Sequence, residues 1–283
     1  MVAMLGPLNS DLIKMTDADF QKISQFIYKS YGIKMPPNKK ILLESRLQKR
    51  LKTTNSLSFK HYIDYVFTPQ GKSAELIPMV DAVTTNKTDF FRGPDHFEFL
   101  ANTVVPALQS KKISSIKLWS AGCSSGEEPY TLAMALSEYN ANHASTNFSI
   151  LGTDLSSDVL QRAERAVYTE DQAMGIPLAL KRKYLLQSKN REEQKVRIVQ
   201  PLREKVAYQR MNLMDNPYKV PNFHIIFCRN VLIYFDRPTQ ESVVSKLLTK
   251  LDTGGFLFIG HSESLTQMDL PIRQIKPTIF QKT

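Results

Sequence analysis

From about residue 115 onward, short apolar runs alternate with amphipathic segments, and that alternation restricts the possible folds more than any other feature of the chain. Strand-like stretches lie at 116–120, 148–153, 206–210, 225–228 and 256–259. Helical periodicity occupies 127–139, 156–166 and 238–251. Strands separated by helices cannot close as hairpins; they form a parallel sheet with helices on both faces. In the last helix Val243, Val244, Leu247, Leu248 and Leu251 make one apolar stripe, Pro238 suits the first turn, and Gly254-Gly255 is expected to stop it. Runs at 272–275 and 278–281 are expected to pair as a final hairpin. Residues 168–205 interrupt the alternation: 184–187 and 196–199 read as strands flanking a polar turn at 188–195, a small appended β-subdomain.

Upstream, residues 16–83 read as helices. Thr16 followed by Asp17 and Asp19 is a helix start, because a Thr cap and early acids suit the helix dipole. Phe20, Ile23, Ile27 and Tyr31 then recur at helical spacing. Pro36-Pro37 breaks the chain and opens a basic helix with Leu43, Leu47 and Leu51 stacked on one face, and shorter helices are expected at 59–66 and 73–83. The basic helix concentrates charge. Residues 34–52 hold seven cations (Lys34, Lys39, Lys40, Arg46, Lys49, Arg50, Lys52) against Glu44, which is +6 of a net +10. An acidic partner is implied. With Leu43, Leu47 and Leu51 facing the core, Arg46, Lys49 and Arg50 are expected to point outward as the substrate-reading face.

Several classes are excluded by composition. With 42% hydrophobic and 23% charged residues the chain is globular rather than disordered. No apolar run approaches the roughly 20 residues of a membrane span, so no direct membrane insertion is expected. Residues 1–10 lack the pattern of a secretory signal and read as a loose tail. Cys123 and Cys228 are too few for a metal cluster or disulfide framework and suit a reducing, cytoplasmic compartment. No metal site is expected.

The chemistry concentrates where strands end. The first strand runs into SAGCSSGEEPY at 120–130, a glycine-rich turn opening a helix. Such turns let a cofactor lie against the backbone. The spacing Gly122-x-x-x-Gly126 is not the three-glycine fingerprint of dinucleotide binders. Glu127 and Glu128 stand where a pyrophosphate wants positive charge, so the loop suits a cofactor carrying an ammonium and a sulfonium. Asp154 ends the second strand, the position that holds ribose hydroxyls in such sheets, and Ser156 is placed to cap the next helix. Arg229 and Asn230 leave the fourth strand after Cys228, at the carboxyl edge where open α/β sheets bind ligands. Tyr234, a little further on, suits either the site or the core.

Four segments together, NKTDFFR at 86–92, SSGEEPY at 124–130, FCRNVLIYF at 227–235 and GHSES at 260–264, closely resemble the CheR-type chemoreceptor glutamate methyltransferases. The likeness runs in order across about 16–281. It implies an all-helical N-terminal domain (1–85) and a Rossmann-like S-adenosylmethionine-binding α/β domain (86–283), with the β-subdomain inserted at about 168–205. It implies cofactor contacts from Asn86, Thr88, Arg92, Gly122, Glu128, Asp154, Asn212, Leu213, Cys228 and Arg229, with Arg92 and Tyr234 nearest the transferred methyl. His261 is read as a structural polar residue rather than a general base. The implied product is S-adenosylhomocysteine, the partner the cytoplasmic helical region of methyl-accepting chemoreceptors, and the enzyme a monomer. Some members dock a receptor C-terminal peptide on a glycine-containing turn of the β-subdomain; here 187–195 (QSKNREEQK) has no glycine, and Ser188 or Gln194 would be strained at positive φ where Asn190 would not. Peptide tethering is therefore not expected.

Competing readings stay open at this point. A nicotinamide oxidoreductase shares the fold class but not the glycine spacing. A nucleic-acid methyltransferase would explain the charge, yet 34–52 lacks interleaved aromatics, so no nucleic acid is expected. A non-catalytic cofactor sensor would bind the cofactor without transferring its methyl.

Overall fold

The computed structural model describes residues 12–143 and 145–283; the tail expected at 1–10 lies outside them. The described chain divides into two compact units. One comprises the residues up to Ser30 and 34–84, the other 31–33 and 85–283.

The first unit is helical: α1 (Asp17–Tyr31), a 3-10 turn Pro37–Lys39, α2 (Lys40–Thr53), α3 (Phe59–Val66), α4 (Pro69–Ala74) and α5 (Leu76–Val83). A reciprocal cap starts α1: Thr16 Oγ1 accepts the Asp19 N–H at 3.1 Å, while the Asp19 carboxylate takes the Thr16 N–H and hydroxyl. Phe20, Ile23, Ile27, Leu43, Leu47 and Leu51 are all buried, as their spacing required. The helix expected at 73–83 is divided at Glu75, whose backbone leaves helical geometry between α4 and α5.

Glu75 also corrects the reading of the basic face. Its buried carboxylate accepts Arg50 Nε at 2.7 Å and Nη2 at 2.5 Å, plus the Tyr62 hydroxyl at 2.8 Å. Arg46 donates to the carbonyls of Val83 and Thr84 at 2.6 and 3.2 Å. Both arginines turn inward and hold α2 to α5 and its end; of the three residues expected to face outward, Lys49 alone is exposed. Lys34, Lys39 and Lys52 are exposed as well, and Ile41 is bare at 79%. Ile41, Ser45, Lys49 and Lys52 share one stripe by helical spacing.

The second unit opens with α6 (Pro94–Phe99), a π-helical turn and α7 (Val105–Ser110). Its sheet carries seven strands in the order β6-β2-β1-β7-β8-β10-β9, formed by β1 (Ser115–Ala121), β2 (Asn147–Asp154), β6 (Val206–Arg210), β7 (Phe223–Cys228), β8 (Leu251–Ile259), β9 (Ile272–Lys276) and β10 (Ile279–Lys282). The first five are parallel, and the β9–β10 hairpin adds antiparallel to β8. Helices α8 (Glu127–Asn142), α9 (Ser157–Arg165) and α12 (Arg237–Thr249) connect the strands. One core holds Phe90, Phe97, Tyr130, Phe227 and Phe258; the other holds Trp119, Ile226, Val243, Leu247 and Leu257.

Two local expectations fail. Gly254-Gly255 does not stop α12, which ends at Thr249. The glycines lie inside β8, where the register against β7 jumps from Phe223↔Leu251 to Ile225↔Phe256. Glycine at φ +75 absorbs that bulge, and Leu251 belongs to the strand rather than the helical stripe. Ser156 occupies the cap position of α9, but its hydroxyl makes no capping bond and is buried without a partner among the described residues.

The inserted segment carries a second sheet, β3 (Val167–Thr169), β4 (Leu185–Gln187) and β5 (Lys195–Ile198), in the order β3-β5-β4, with short helices α10 (Leu178–Tyr184) and α11 (Gln200–Arg203). Strand β3 was not foreseen; three residues are too few to show alternation. In the turn, Ser188 N–H donates to Lys195 O at 2.9 Å, and Gln194 takes φ +47.

Candidate cofactor and active site

Strand β1 delivers the chain into a loop with three positive φ values, at Gly122, Ser124 and Gly126. Glycine is required by space as well as by angle. A Cβ on Gly122 would lie 2.2 Å from Val231 Cγ2, and one on Gly126 would meet the hydroxyls of Tyr208 and Tyr168 at 2.8 and 2.9 Å. The loop amides have partners within the protein. Gly122 and Cys123 donate to Thr153 O at 2.7 and 2.9 Å, and Ser124 donates to Asp154 Oδ2 at 2.9 Å. Asp154 Oδ1 takes the Ser156 N–H at 3.0 Å. Asp154, the last residue of β2, thus fixes both the glycine loop and the start of α9.

The two acids that open α8 have different fates. Glu127 is buried, hydrogen-bonded to Ser125 Oγ, and its carboxyl is pushed up by burial. It is an internal group, not half of a cation-binding pair. Glu128 is half-buried: Oε1 accepts from Ser120 Oγ at 2.7 Å and Oε2 from Arg229 Nη1 at 3.2 Å. Arg229 is itself buried. Its Nη2 donates to Arg92 O, its guanidinium lies 5.4 Å from the Phe97 ring centre, and its Nε has no partner among the described residues.

The segment before α6 is drawn onto the same place. Asn86 O accepts the Ser124 hydroxyl at 2.8 Å, and the Phe91 N–H donates to Thr131 Oγ1 at 3.2 Å. Asn86 and Thr88 are half-buried, while Arg92 is exposed and reaches Lys87 O at 3.4 Å. Beyond β6, Met211 N–H donates to Asp154 O, and Asn212 Oδ1 accepts the Met214 N–H at 3.0 Å. Leu213 is buried; its carbonyl takes the Tyr218 hydroxyl and Lys246 Nζ. Cys228 is fully buried at the end of β7 and its thiol is pushed up by burial. Tyr234 is half-buried, with its hydroxyl 3.4 Å from Thr85 O.

One residue escaped sequence reasoning although its motif was seen. Glu263, buried after β8, accepts the backbone N–H groups of Asn230 at 3.0 Å, Ile233 at 3.3 Å and Gly260. It shapes the turn that carries Arg229 and Tyr234, where Asn230 takes φ +59. An acid three residues past a strand-ending glycine was the available signal. His261, its neighbour, pairs with Asp95 at 3.0 Å.

Residues 18–84 match the model of the CheR methyltransferase all-alpha domain, and 86–280 match the CheR methyltransferase SAM binding domain. The chain belongs to the CheR methyltransferase family. A chemotaxis protein methyltransferase of Borreliella burgdorferi is 38% identical over 95% of this chain and 96% of its own length. One from Escherichia coli is 32% identical over 92% and 89%. The magnesium protoporphyrin IX methyltransferase of Synechocystis, solved with S-adenosylmethionine, is a loose structural likeness: 13% identity, TM-score 0.33, 76% of this chain and 74% of that one. The oxidoreductase and nucleic-acid readings are thereby set aside. This methyltransferase uses S-adenosylmethionine, and the residues present fit that cofactor: Glu128 rather than a lysine stands in the first turn of α8, and Arg229 Nε is a buried donor with no partner among the described residues.

Proposed function

We propose that this methyltransferase forms methyl esters on glutamate side chains in the cytoplasmic helical region of chemoreceptors, acting as a cytoplasmic monomer. The observation that carries the acceptor class is the kind of group at 92 and 234, a guanidinium and a phenol, while the acid Glu128 is already countered by Arg229. These groups suit an anionic acceptor and supply no base. None is needed, because a glutamate with a pKa of about 4.3 is ionised at neutral pH.

S-adenosylmethionine, when bound, supplies an electrophilic methyl group. Asp154 is assigned to the ribose hydroxyls, Glu128 to the ammonium, and Arg229 Nε to the cofactor carboxylate. Asn86, Thr88, Asn212, Leu213 and the backbone at Gly122 and Cys228 complete the walls. Arg92 and Tyr234 orient the acceptor oxygen. A loose contact from each is preferable to a tight ion pair, which would make the carboxylate a poorer nucleophile. Alignment and exclusion of water then supply most of the rate. Residues 1–85 are assigned to receptor reading, through the exposed stripe of Ile41, Lys49 and Lys52 rather than through Arg46 and Arg50. The deciding experiment incubates labelled S-adenosylmethionine with receptor cytoplasmic fragments. Base-labile label on glutamate is expected; cofactor binding with no label on any fragment would leave a sensor, not an enzyme.

A further inference from the structure

His96 and Asp95 stand in the first turn of α6, and the His261 ring lies against the His96 ring with centroids 4.5 Å apart. Three facts fix the chemistry of His96. It is fully buried and packs edge-to-face with Phe258 and Phe227. Its Nε2 lies 2.8 Å from Thr278 Oγ1, and that hydroxyl also lies 2.6 Å from Pro277 O; with the hydroxyl donating to the carbonyl, Nε2 carries the hydrogen. Burial and the nearby Arg229 push its pKa down to about 4, so the ring is neutral at physiological pH. In that tautomer Nδ1 is a bare lone pair, buried and without a partner among the described residues. An unmatched buried acceptor of this kind is costly and asks for an explanation.

One ligand atom from each of Asp95, His96 and His261 falls within 4.8 Å of the others, and the His261 Nε2 to Asp95 Oδ2 distance is already 3.0 Å. His261 and Asp95 are about half exposed or more, and His261 and Thr278 line an open groove of about 450 Å³, so an ion can arrive from solvent. We propose that Asp95, His96 Nδ1 and His261 form a binding site for a divalent transition-metal ion, Zn²⁺ in particular. Two imidazoles and one carboxylate are the donors zinc favours, and a water completes four-coordination. The two imidazoles stack nearly parallel, so the His261 ring has to swing out of that stack before its lone pair and that of His96 Nδ1 meet at one ion.

The site would act on the catalytic centre from behind. A Cβ on Gly93 would meet Arg229 Nη2 and His261 Cε1, each at 2.7 Å, so the His261 ring and the buried guanidinium press on the same residue. An ion held there fixes Gly93, and with it the Arg92 carbonyl that Arg229 binds. The role is positioning, because the cluster acts through Gly93 and Arg229 rather than on the reacting atoms.

The test uses the full chain without a histidine tag, stripped with chelator and titrated with zinc chloride against a chromophoric competitor. One equivalent should bind at micromolar affinity or tighter and raise the melting temperature by mass action. His261→Ala and Asp95→Asn, both at the surface, should each weaken binding at least about tenfold. Cobalt(II) in place of zinc should give a visible spectrum of low coordination number without thiolate charge-transfer bands, which removes Cys123 and Cys228 as ligands. No binding at micromolar zinc, or binding that survives His261→Ala, overturns the proposal.

Discussion

In the N-terminal unit Arg50 meets Glu75 through two hydrogen bonds, at 2.7 and 2.5 Å, and Tyr62 takes up a further lone pair of the carboxylate. In the α/β unit Arg229 meets Glu128 through one, at 3.2 Å, and keeps a buried Nε with no partner. Both are buried or nearly buried arginine–glutamate pairs, yet they do different work. The first closes a bidentate fork with good geometry, which is how such a pair stabilises a fold. The second is left incomplete beside the glycine loop. That incompleteness costs stability, and in the proposed role it becomes binding capacity for the cofactor carboxylate.

Matched substitutions separate the two most sharply. Glu75→Gln replaces two charge-assisted bonds and should destabilise the protein by about 2–3 kcal/mol, read as a lower melting temperature with cofactor affinity unchanged in the folded fraction. Glu128→Gln should lower melting much less and weaken S-adenosylhomocysteine binding. Equal losses of stability would erase the distinction. The same logic condemns Arg46→Glu with Arg50→Glu as a probe of receptor binding, because both side chains are tied to α5 or its end.

Next in size is Asp154→Ala. Loss of charge-assisted bonds to the ribose should cost about 1.5–3 kcal/mol, ten- to a hundredfold in S-adenosylhomocysteine affinity by calorimetry. Asp154 also holds Ser124 and Ser156, so an unchanged affinity would reduce it to a loop fastener like Glu75.

A smaller effect is expected from Lys49→Glu with Lys52→Glu. Each exposed pair contributes about 0.2–1 kcal/mol, so the double variant should slow receptor methylation several-fold at low salt and converge with the wild type as salt is added. Cofactor affinity should not move. Wild-type rates at low ionic strength would place receptor reading elsewhere.

The smallest change is expected with pH. A lowered folded pKa means the proton binds less well in the folded state; His96, at about 4, stays neutral throughout the working range. With an acceptor already ionised, the single-turnover rate should be flat from about pH 6 to 8.5, and Tyr234→Phe should slow transfer without loss of cofactor. A sigmoid abolished by His261→Ala would restore the general base. Likewise a receptor C-terminal pentapeptide should show no measurable binding to the β-subdomain; micromolar binding would contradict that.

How far the sequence carried the structure depended on whether the signal was local. Leu43, Leu47 and Leu51, the glycine loop and Asp154 were legible because spacing and strand ends speak for themselves. Arg46 and Arg50 were misread, because their partners, Val83, Thr84 and Glu75, lie some 25 to 38 residues away. Gly254-Gly255 looked like a helix stop because a bulge and a cap ask for the same residue. Glu127 and Glu128 looked equivalent because a sequence does not tell which of two adjacent side chains turns inward.

Glu263 has a consequence for the growing polypeptide. The turn it fastens, at Asn230 and Ile233, leaves the ribosome 33 and 30 residues earlier. A nascent chain can already hold the glycine loop, Asp154 and Arg229 while the turn between Arg229 and Tyr234 still lacks its carboxylate. Helical units such as α1–α5 form from local contacts and can mature first. The turn between Arg229 and Tyr234 is thus among the last parts of the α/β unit to be fastened.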